Sequence, residues 1–348
     1  MLSKQMREAL KARAAGDPRA QALLAQMLAG ERRYNEAYAL AMAAQAAGAG
    51  DLEIERLVRD VLSAVTRPWF FPLVRDEVRN AAYDAAIRAA VRPGMRVLDI
   101  GTGTGMFAMM AARAGAGHVV SFEQNAATAE SARRVVAANG YADRIVIVTA
   151  DVTHVKSAEE IGGRADLMLS DIMSVNLLDA AASAALAHAA AHLLAPGAKL
   201  IPGRAVARVA LAEDSQWAAW RMDRHGGFDL SPFNRLAPVR HLTAGEVRLR
   251  STTADILVQD FPPPQAPLAG GAVLTASGGR ANGIVQWIAL DLQNGHAHEN
   301  APGTDAGRGW LAAFFPFESP RDFAEGTKVR VHAEQRGGAL HVWTDDAG

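Results

Sequence analysis

Between about residue 92 and residue 203, short apolar runs rich in β-branched residues alternate with longer stretches whose apolar positions recur at helical spacing. Runs of this length and composition are typical of strands that are buried on both faces. The alternation predicts parallel strands joined by right-handed helical crossovers, which is a Rossmann-like, doubly wound α/β sheet. The strands are predicted at Arg96–Ile100, His118–Glu123, Arg144–Ala150, Asp166–Ser170 and Lys199–Pro202.

The first 65 residues have a different pattern, rich in Ala, Leu, Glu and Arg and interrupted at Gly16–Pro18 and Gly48–Asp51. Apolar residues at helical spacing over Ala20–Gly30 and Arg32–Ala47 predict an antiparallel pair of helices. The stretch Gly30–Ala37 resembles part of a tetratricopeptide helical hairpin, and an ordinary helical extension is the alternative. Because such hairpins need about three copies to be stable alone, we expect this extension to pack on the next domain.

After Arg204, short alternating segments separated by Pro and Gly clusters replace the helical periodicity. This pattern predicts an antiparallel β domain, a sandwich or a barrel. The polar stretch Gln293–Arg308, which contains His296 and His298, is predicted to be an exposed loop. We divide the chain into a helical extension, an α/β domain and an antiparallel β domain, at residues 1–65, 66–203 and 204–348.

The composition narrows the classes of function. The 348 residues are 50% hydrophobic, which is enough apolar side chain for substantial cores. Lys and Arg total 36 against 37 Asp and Glu, so no overall positive field favours nucleic acid or an anionic membrane as a partner. The absence of cysteine excludes disulfides, thiolate metal sites and cysteine nucleophiles. The N-terminal sequence has no apolar run of signal-peptide length, and we predict a cytoplasmic protein with no membrane span and no metal.

The sharpest chemical motif is a buried strand that contains Asp99 and leads into the glycine-rich turn Gly101-Thr-Gly103-Thr-Gly105, followed by an apolar helix. Glycines at this point let the backbone turn tightly and approach a ligand, and the helix N-terminus favours polar or anionic groups. Eighteen residues after Gly105, at the end of the second strand, Glu123 can accept hydrogen bonds from both hydroxyls of a ribose. These features predict a nucleotide-like cofactor.

The glycine turn, the acid Glu123 and Asp151 after the third strand together resemble the class I methyltransferases that use S-adenosylmethionine. The resemblance implies that the turn, with Asp99, lies at the amino-acid part of the cofactor and that Glu123 holds the ribose. It also implies that Asp151 or its neighbour Val152 contacts the adenine. A plain loop carboxylate is the alternative for Asp151.

Just upstream, the pattern Asp76-x-Val78-Arg79, followed by a helix with Tyr83, is similar to the protein arginine methyltransferases. That family implies a pairing of Arg79 with the cofactor's carboxylate, which a guanidinium can grip with two parallel hydrogen bonds. A helix-surface ion pair is the alternative for Arg79. Three later segments fall in the order expected for the family's β-barrel domain: Gly227–Asn234, Gly283–Leu292 and Trp310–Phe315. The family also implies a homodimer, for which Phe228–Arg240 is the candidate arm.

The acceptor half departs from the family pattern, which uses two glutamates nine positions apart on the loop after the fourth strand. Here Asp171 takes the first position, Ala180 stands at the ninth, and Asp179 is one place short. An Asp is one methylene shorter than a Glu, which moves the acceptor by about 1.5 Å, and such a misplacement can cost ~100-fold in rate. Where the family often has Thr-His-Trp, this chain has Arg308-Gly309-Trp310, without the His.

The leading hypothesis is an S-adenosylmethionine-dependent methyltransferase that acts on arginine in a protein or peptide, with Asp171 and Asp179 as the catalytic carboxylates. Capping of the following loop is the structural alternative for Asp171. Two other hypotheses keep the cofactor: transfer to a small molecule or a non-arginine side chain, and a catalytically weak scaffold that binds a protein partner through its helical N-terminus. His188 and His192 lie four apart on one predicted helix, but no third ligand is apparent, so we interpret them as structural.

Overall fold

The computed structural model describes residues 3–66, 69–243, 247–263, 268–303, 309–336 and 338–345. The chain begins with four helices that share a small apolar core, which confirms the predicted helical extension. The side chains of Asp17 and Asp51 accept hydrogen bonds from backbone N–H groups of the following first turns, so each Gly-Asp break is also a helix start. The four helices are α1 Lys4–Ala14, α2 Pro18–Gly30, α3 Tyr34–Ala47 and α4 Leu52–Val65.

Two further helices and a five-stranded parallel sheet follow, which confirms the predicted doubly wound fold. The strand order is β3-β2-β1-β4-β5, and every pairing is parallel. The helices are α5 Phe70–Val74, α6 Glu77–Ala90, α7 Met106–Arg113, α8 Ala126–Ala138 and α9 Ala180–His192. The strands are β1 Arg96–Ile100, β2 His118–Glu123, β3 Ile145–Thr149, β4 Ala165–Ser170 and β5 Leu194–Ile201.

The strand order places β1 at the centre of this sheet. The chain runs outward from β1 through β2 to β3 on one side and then returns to β4 and β5 on the other. Leu98 on β1 and Leu169 on β4 are fully buried, because helices cover both faces of the sheet. The carboxyl ends of β1 and β4 therefore form a topological switch point, where open α/β sheets bind their ligands.

The remainder of the chain is antiparallel β-structure, as predicted. Its largest sheet has the order β10-β6-β13-β15-β9, with β11 paired to β6 and β14 paired to β13, and a second sheet has the order β12-β16-β17. The elements up to the middle of this region are β6 Arg204–Asp214, α10 Ser215–Trp220, β7 Arg224–His225, β8 Phe228–Asp229, β9 Arg240–Leu242, β10 Val247–Leu249 and β11 Ala254–Asp260. The later strands are β12 Ala269–Thr275, β13 Gly279–Asp291, β14 Ala297–Glu299, β15 Ala312–Phe323, β16 Lys328–Arg336 and β17 Ala339–Thr344.

The prediction of an exposed loop over Gln293–Arg308 is wrong in its middle part. Residues 297–299 form β14, and His298 and Asn300 are buried. The amide of Asn300 joins β13 to the segment before β15: its Nδ2 donates to the carbonyl oxygen of Trp310 at 3.1 Å, and its Oδ1 accepts from the backbone N–H of Ile288 at 2.9 Å. These side-chain hydrogen bonds add to the backbone pairing of β14 with β13 inside the fold. The composition of the segment alone does not distinguish this arrangement from a solvated loop. Residues 304–308 lie outside the described residues.

The described ranges contain no helix that combines the length and the hydropathy needed to cross a membrane. In the same ranges, no group of three or more His, Asp or Glu side chains is arranged to hold a metal ion. The rings of His188 and His192 lie 4.7 Å apart on α9, and Nε2 of His188 donates to the carbonyl oxygen of Val155 at 2.8 Å. His188 therefore has a structural hydrogen bond between a helix and the loop after β3.

Candidate active site

A cleft of about 400 Å³ opens at the carboxyl ends of the central strands. It is lined by the glycine turn after β1, by Glu123 at the end of β2 and by Asp171 after β4. Helix α5 closes one side with Phe70 and Leu73, and the start of α9 adds Asp179. The cleft therefore occupies the switch point of the sheet and brings together residues from both predicted halves of the site.

The glycine turn has a backbone that other residues would strain. Gly101, Gly103 and Gly105 have φ angles of +89°, +53° and +82°. A Cβ at Gly101 would lie 2.2 Å from Cγ2 of Ile172, and one at Gly105 would lie 2.9 Å from Cγ2 of Val136. The turn thus needs glycine both for its conformation and for its close packing, which leaves its backbone open to the cleft.

Asp99 lies beneath this turn and is not among the cleft-lining residues. Its Oδ2 accepts a hydrogen bond from Oγ of Ser121 at 2.6 Å, and that hydroxyl also contacts Oγ1 of Thr102 at 2.6 Å. Burial raises the pKa of Asp99 to about 7, although the Ser121 hydrogen bond acts in the opposite direction. The structure therefore gives Asp99 a supporting position, one layer away from any ligand of the cleft.

Glu123 lies in the cleft and is tied to the glycine turn. Its carboxylate accepts backbone hydrogen bonds from Gly103 at 3.2 Å and from Asn125 at 2.9 Å. Burial raises the pKa of this carboxyl above its ordinary value, while these hydrogen bonds favour the ionised form. The predicted ribose-binding acid and the predicted cofactor turn are thus one hydrogen-bonded unit.

The segment after β3 forms a short 3₁₀ turn over Val152–His154. Val152 is buried and lines the cleft with its side chain. Asp151 caps this turn: its Oδ1 accepts from the backbone N–H of Thr153 at 2.9 Å and from the Thr153 hydroxyl at 2.8 Å. Of the two residues that were predicted near adenine, Val152 is the one that faces the cleft.

Arg79 projects from α6 into the cleft, with its guanidinium buried. It forms an ion pair with Asp171, and its Nη1 donates to Oδ1 of Asn80 at 2.8 Å. The ring centroids of Phe107 and Tyr83 lie 4.9 and 5.4 Å from its Cζ. Nε of Arg79 is buried and has no hydrogen-bond partner. The guanidinium of Arg79 therefore still has an N–H group that can donate to a ligand. Its ion-pair partner, Asp171, lines the cleft, so the pair is not on the helix surface.

The two acceptor-side carboxylates line the same cleft. Oδ1 of Asp171 accepts from the Tyr83 hydroxyl at 3.1 Å, and burial raises the pKa of Tyr83 so that this donor stays protonated. Asp179 is the N-cap of α9 and accepts from the backbone N–H of Ala182 at 2.8 Å. Leu177, with a φ of +64°, tightens the connecting loop. Both carboxylates therefore lie at the cleft, although Asp179 is one position short of the family spacing.

Sequence reasoning missed the position of His298. Its ring is 4% exposed and stacks on Trp310, with centroids 6.1 Å apart and an interplanar angle of 12°. It also missed Phe70, whose ring lies 3.5 Å from where a Cβ at Gly103 would be. The apolar run Trp69–Leu73 was a usable signal for Phe70, whereas the polar surroundings of His298 gave none.

Comparisons with known proteins identify the family of the chain. Residues 97–197 match the family model described as a methyltransferase domain. An arginine N(omega)-methyltransferase of Streptomyces achromogenes subsp. streptozoticus is 32% identical over 264 residues, which is 72% of this chain and 72% of that relative. This chain belongs to the arginine methyltransferase family. It is an S-adenosylmethionine-dependent methyltransferase, which confirms the predicted cofactor and enzyme class.

Other members of the arginine methyltransferase family match this chain over a smaller share of their own length. Protein arginine N-methyltransferase 7 of Drosophila grimshawi is 36% identical over 172 residues, 47% of this chain and 24% of that protein. The Danio rerio protein of the same name is 30% identical over 270 residues, 70% of this chain and 40% of its own length. The chain thus spans a quarter to two fifths of these two relatives.

Solved structures share the fold. A Trypanosoma brucei PRMT1 enzyme–prozyme heterotetrameric complex with AdoHcy matches with a TM-score of 0.68 at 22% identity, over 80% of this chain and 93% of that one. Arabidopsis thaliana protein arginine methyltransferase 10 matches with a TM-score of 0.64 at 18% identity, over 78% and 89% of the two chains. At these identities the likeness shows the arginine methyltransferase architecture.

Proposed function

We propose that this methyltransferase transfers the methyl group of S-adenosylmethionine to a guanidinium nitrogen of arginine in a protein or peptide. One observation supports this most: the carboxylates of Asp171 and Asp179 line the same cleft as the glycine turn and Glu123. A guanidinium is a planar cation with a fork of donors that suits carboxylates. Asp171 already accepts a hydrogen bond from a guanidinium, that of Arg79.

The residues around the turn suit the cofactor. The backbone of the three glycines offers close approach, and the buried carboxylate of Glu123 can accept hydrogen bonds from ribose hydroxyls. Val152 offers an apolar surface for adenine, with Asp151 holding the turn behind it. Arg79 has a buried Nε without a partner, so a donor is left for the cofactor's carboxylate. In this assignment Asp99 acts indirectly, by supporting the turn.

Bound S-adenosylmethionine supplies an electrophilic methyl group on a sulfonium. The chain's own contribution is to position the acceptor and to shape the electrostatic field around it. Asp171, fixed by Tyr83 and Arg79, and Asp179, fixed at the start of α9, hold the acceptor by its N–H groups. Two negative charges draw the positive charge of a guanidinium toward the bound N–H groups. The remaining nitrogen would keep more lone-pair density to form a bond with the methyl carbon as the C–S bond breaks to leave a neutral thioether, and the methylated nitrogen would then release one proton.

A second candidate replaces the protein acceptor by a small one. Both carboxylates are aspartates, where the family pattern has glutamates, and Gly309 stands where that pattern has His. The Streptomyces relative is named for arginine, whereas the fly and zebrafish relatives are named for protein arginine. These differences are consistent with an acceptor that is smaller than a protein, such as free arginine.

Product analysis separates the candidates. The protein is incubated with methyl-labelled S-adenosylmethionine and one of three acceptors: an arginine-rich peptide, the same peptide with lysine at every arginine, or free arginine. Labelled methylarginine from the arginine peptide is the expected result. Label in free arginine alone favours the second candidate. Bound cofactor without any labelled product contradicts both and favours a catalytically weak scaffold.

The Asp171→Asn variant tests the acceptor assignment in the same assay. Losing the carboxylate charge should lower the rate of methylarginine formation by ~100-fold, the cost of a misplaced or uncompensated reacting group. Asp143→Asn, an exposed site away from the cleft, is the control and should match the parent protein. Full activity of Asp171→Asn would remove Asp171 from the mechanism.

The proposal extends to the whole chain. We infer a homodimer formed through the arm Phe228–Arg240, supported by its exposed apolar side chains. We also infer the domain boundaries 1–65, 66–203 and 204–348, supported by where the helical core and the two kinds of sheet fall. A cytoplasmic location stays a prediction of the sequence.

A further inference from the structure

Three buried side-chain atoms without hydrogen-bond partners belong to one neighbourhood around the start of α6. They are Oδ2 of Asp76, Nε of Arg79 and Nε2 of His298. Asp76 and Arg79 lie on α6, and β14, which carries His298, packs against that helix. Buried polar groups are normally paired, so a group of three without partners calls for a functional explanation.

Asp76 connects this neighbourhood to the cofactor side of the cleft. It is the N-cap of α6, and its Oδ1 accepts a hydrogen bond from the backbone N–H of Arg79 at 3.0 Å. This bond fixes the first turn of α6, from which the Arg79 side chain enters the cleft. Oδ2 of Asp76 still needs a donor, and a buried carboxylate with one unpaired oxygen holds this turn less firmly than a fully paired one.

Position 309 cannot provide that donor. A Cβ built on Gly309 would lie 2.4 Å from the carbonyl oxygen of Pro72 and 3.0 Å from Cα of Leu73, both backbone atoms. It would also lie 2.9 Å from Cβ of Asp76. The backbone of Gly309 therefore lies directly against α5 and α6, and no side chain fits there. The histidine that the family pattern places before Trp310 has no room at this position.

His298 brings an imidazole to the same neighbourhood from another strand. Its ring stacks on Trp310 and is almost fully buried. Burial lowers the pKa of His298, and the charge of Arg79 acts in the same direction, while Asp76, Asp171 and Glu299 act in the opposite one. The imidazole is neutral near pH 7 and then has one N–H to donate. Glu299 is engaged elsewhere: its carboxylate accepts from Nε1 of Trp287 and from Arg208.

We propose that His298 is a positioning residue for Arg79: its Nε2 and Oδ2 of Asp76, both unpaired in this structure, form a hydrogen bond when the cofactor is bound, and this bond fixes the first turn of α6. The inference rests on the proposed role of Arg79 toward the cofactor's carboxylate. It assigns to β14 the ring that this chain cannot carry at position 309. It also links the antiparallel β region to the cofactor side of the cleft.

An NMR titration of the ligand-free protein tests whether Asp76 lies near enough to His298 to influence its protonation. The pKa of His298 is measured in the parent protein, in Asp76→Asn and in the control Asp322→Asn, an exposed site on β15. Asp76→Asn removes a negative neighbour that favours the imidazolium, so the pKa of His298 should fall further. Asp322→Asn should leave it unchanged. An unchanged pKa of His298 in Asp76→Asn would overturn the proposal.

Calorimetric titration with S-adenosylmethionine tests the consequence for binding. His298→Phe keeps a ring on Trp310 and removes the donor, so the Kd should rise at least about fivefold, the loss expected for one buried hydrogen bond. His298→Gln keeps an N–H at a similar reach and should restore the Kd to within about twofold. His296→Phe, the same change two residues away, is the control.

The outcomes separate this inference from the proposed function. Normal affinity in His298→Phe, or equal weakening in His298→Gln, would overturn the positioning role, since packing alone would then explain the residue. Thermal unfolding of each variant identifies loss of fold. If His298→Phe does not fold, His298→Gln and the NMR titration decide. If the parent protein binds no S-adenosylmethionine, the proposed cofactor site fails, while the titration of His298 still tests its proximity to Asp76.

Discussion

Asp99 shows how a single residue under the glycine turn links the cofactor site to the stability of the protein. Its carboxyl is buried beneath the turn and has one hydroxyl donor, that of Ser121. Burial raises its pKa from the ordinary value of 3.8 to about 7. The folded protein therefore binds this proton more tightly than the unfolded chain does. The stabilising contribution is complete below about pH 4 and is lost as the pH rises through 7.

The variant Asp99→Asn tests this pH dependence because its amide cannot ionise. Raising the pH from 5 to 8 should lower the Tm of the parent protein more than that of Asp99→Asn, by about 2 °C or more. The measurement is thermal unfolding at both pH values, with Asp143→Asn as an exposed control. If the Tm difference between the parent protein and Asp99→Asn is the same at pH 5 and at pH 8, the raised pKa of the buried Asp99 carboxyl is contradicted.

Single residues differ in how far the sequence reveals their place. Gly101 and Glu123 were predictable because the turn and the strand end that place them are local features. The burial of His298 depends on α6, which lies more than two hundred positions earlier in the chain. Asp179 was named as an acceptor carboxylate from the sequence, but its place at the cleft depends on the path of the loop before α9. Local chemistry in the sequence therefore points to candidate residues, whereas surroundings that distant packing creates, such as those of His298, are seen only in the structure.

Among the elements, helix α3 of the N-terminal extension is hydrogen-bonded to the loop at the edge of the cleft through Asn35. Nδ2 of Asn35, on α3, donates to the carbonyl oxygen of Gln124 at 2.8 Å, and its Oδ1 accepts from the backbone N–H of Ala126 at 2.9 Å. Gln124 follows Glu123 directly and lines the cleft. Asn35 therefore fixes the loop that carries the proposed ribose-binding acid.

Replacement of Asn35 by Ala should weaken binding of S-adenosylmethionine by about three- to tenfold, because two hydrogen bonds that order this loop are lost. Calorimetric titration measures the effect. Gln26→Ala is a matched control: its amide also makes a hydrogen bond, to Asp60, but within the helical extension. Unchanged affinity in Asn35→Ala would mean that the helices only pack beside the cleft.

The elements themselves were mostly evident in the sequence. The predicted strands His118–Glu123 and Arg96–Ile100 agree with β2 and β1. A short apolar run between helical stretches is typical of a buried parallel strand, so these two strands were evident in the sequence. Strand β5 starts at Leu194, earlier than predicted. The strand includes Pro196 and Gly197, a pair that is typical of a turn, so the sequence pattern placed the start of the strand after it. Strand β14 was missed because a three-residue strand of mixed polarity carries no periodicity.

For the whole molecule, the exposed apolar arm argues for self-association. Phe228, Phe233 and Leu236 are 73%, 62% and 69% exposed. Grouped exposed apolar side chains of this size are characteristic of protein interfaces. Sedimentation velocity at micromolar concentration should show a dimer. Phe233→Asp should shift it toward monomer, because a charge placed in an apolar interface is left unpaired.

Val273→Asp, an exposed site on β12, is the control for this substitution and should sediment as the parent protein does. A strictly monomeric parent protein would contradict the dimer. Dimerisation that persists in Phe233→Asp would move the interface away from the arm.

The overall architecture was predictable at the level of its layers. Alternating helices and strands dictated the parallel sheet, and the pattern after Arg204 dictated antiparallel pairing. The order β10-β6-β13-β15-β9 was not predictable, since it depends on which long strands pair across more than seventy residues, as Arg204 does with Asp291. The contact of β14 with α6, which joins two regions of the chain, belongs to the same class of long-range information.

We propose that the cleft at the switch point binds S-adenosylmethionine through Arg79 and Glu123. The most direct test is calorimetric titration of the parent protein beside Arg79→Ala and Glu123→Ala, with Arg88→Ala on the same helix and Glu130→Ala on α8 as controls. We expect binding by the parent protein and both controls, and at least tenfold weaker binding by the two cleft variants, since each loses charged hydrogen bonds. Equal affinity in all five proteins would contradict the assignment of the site.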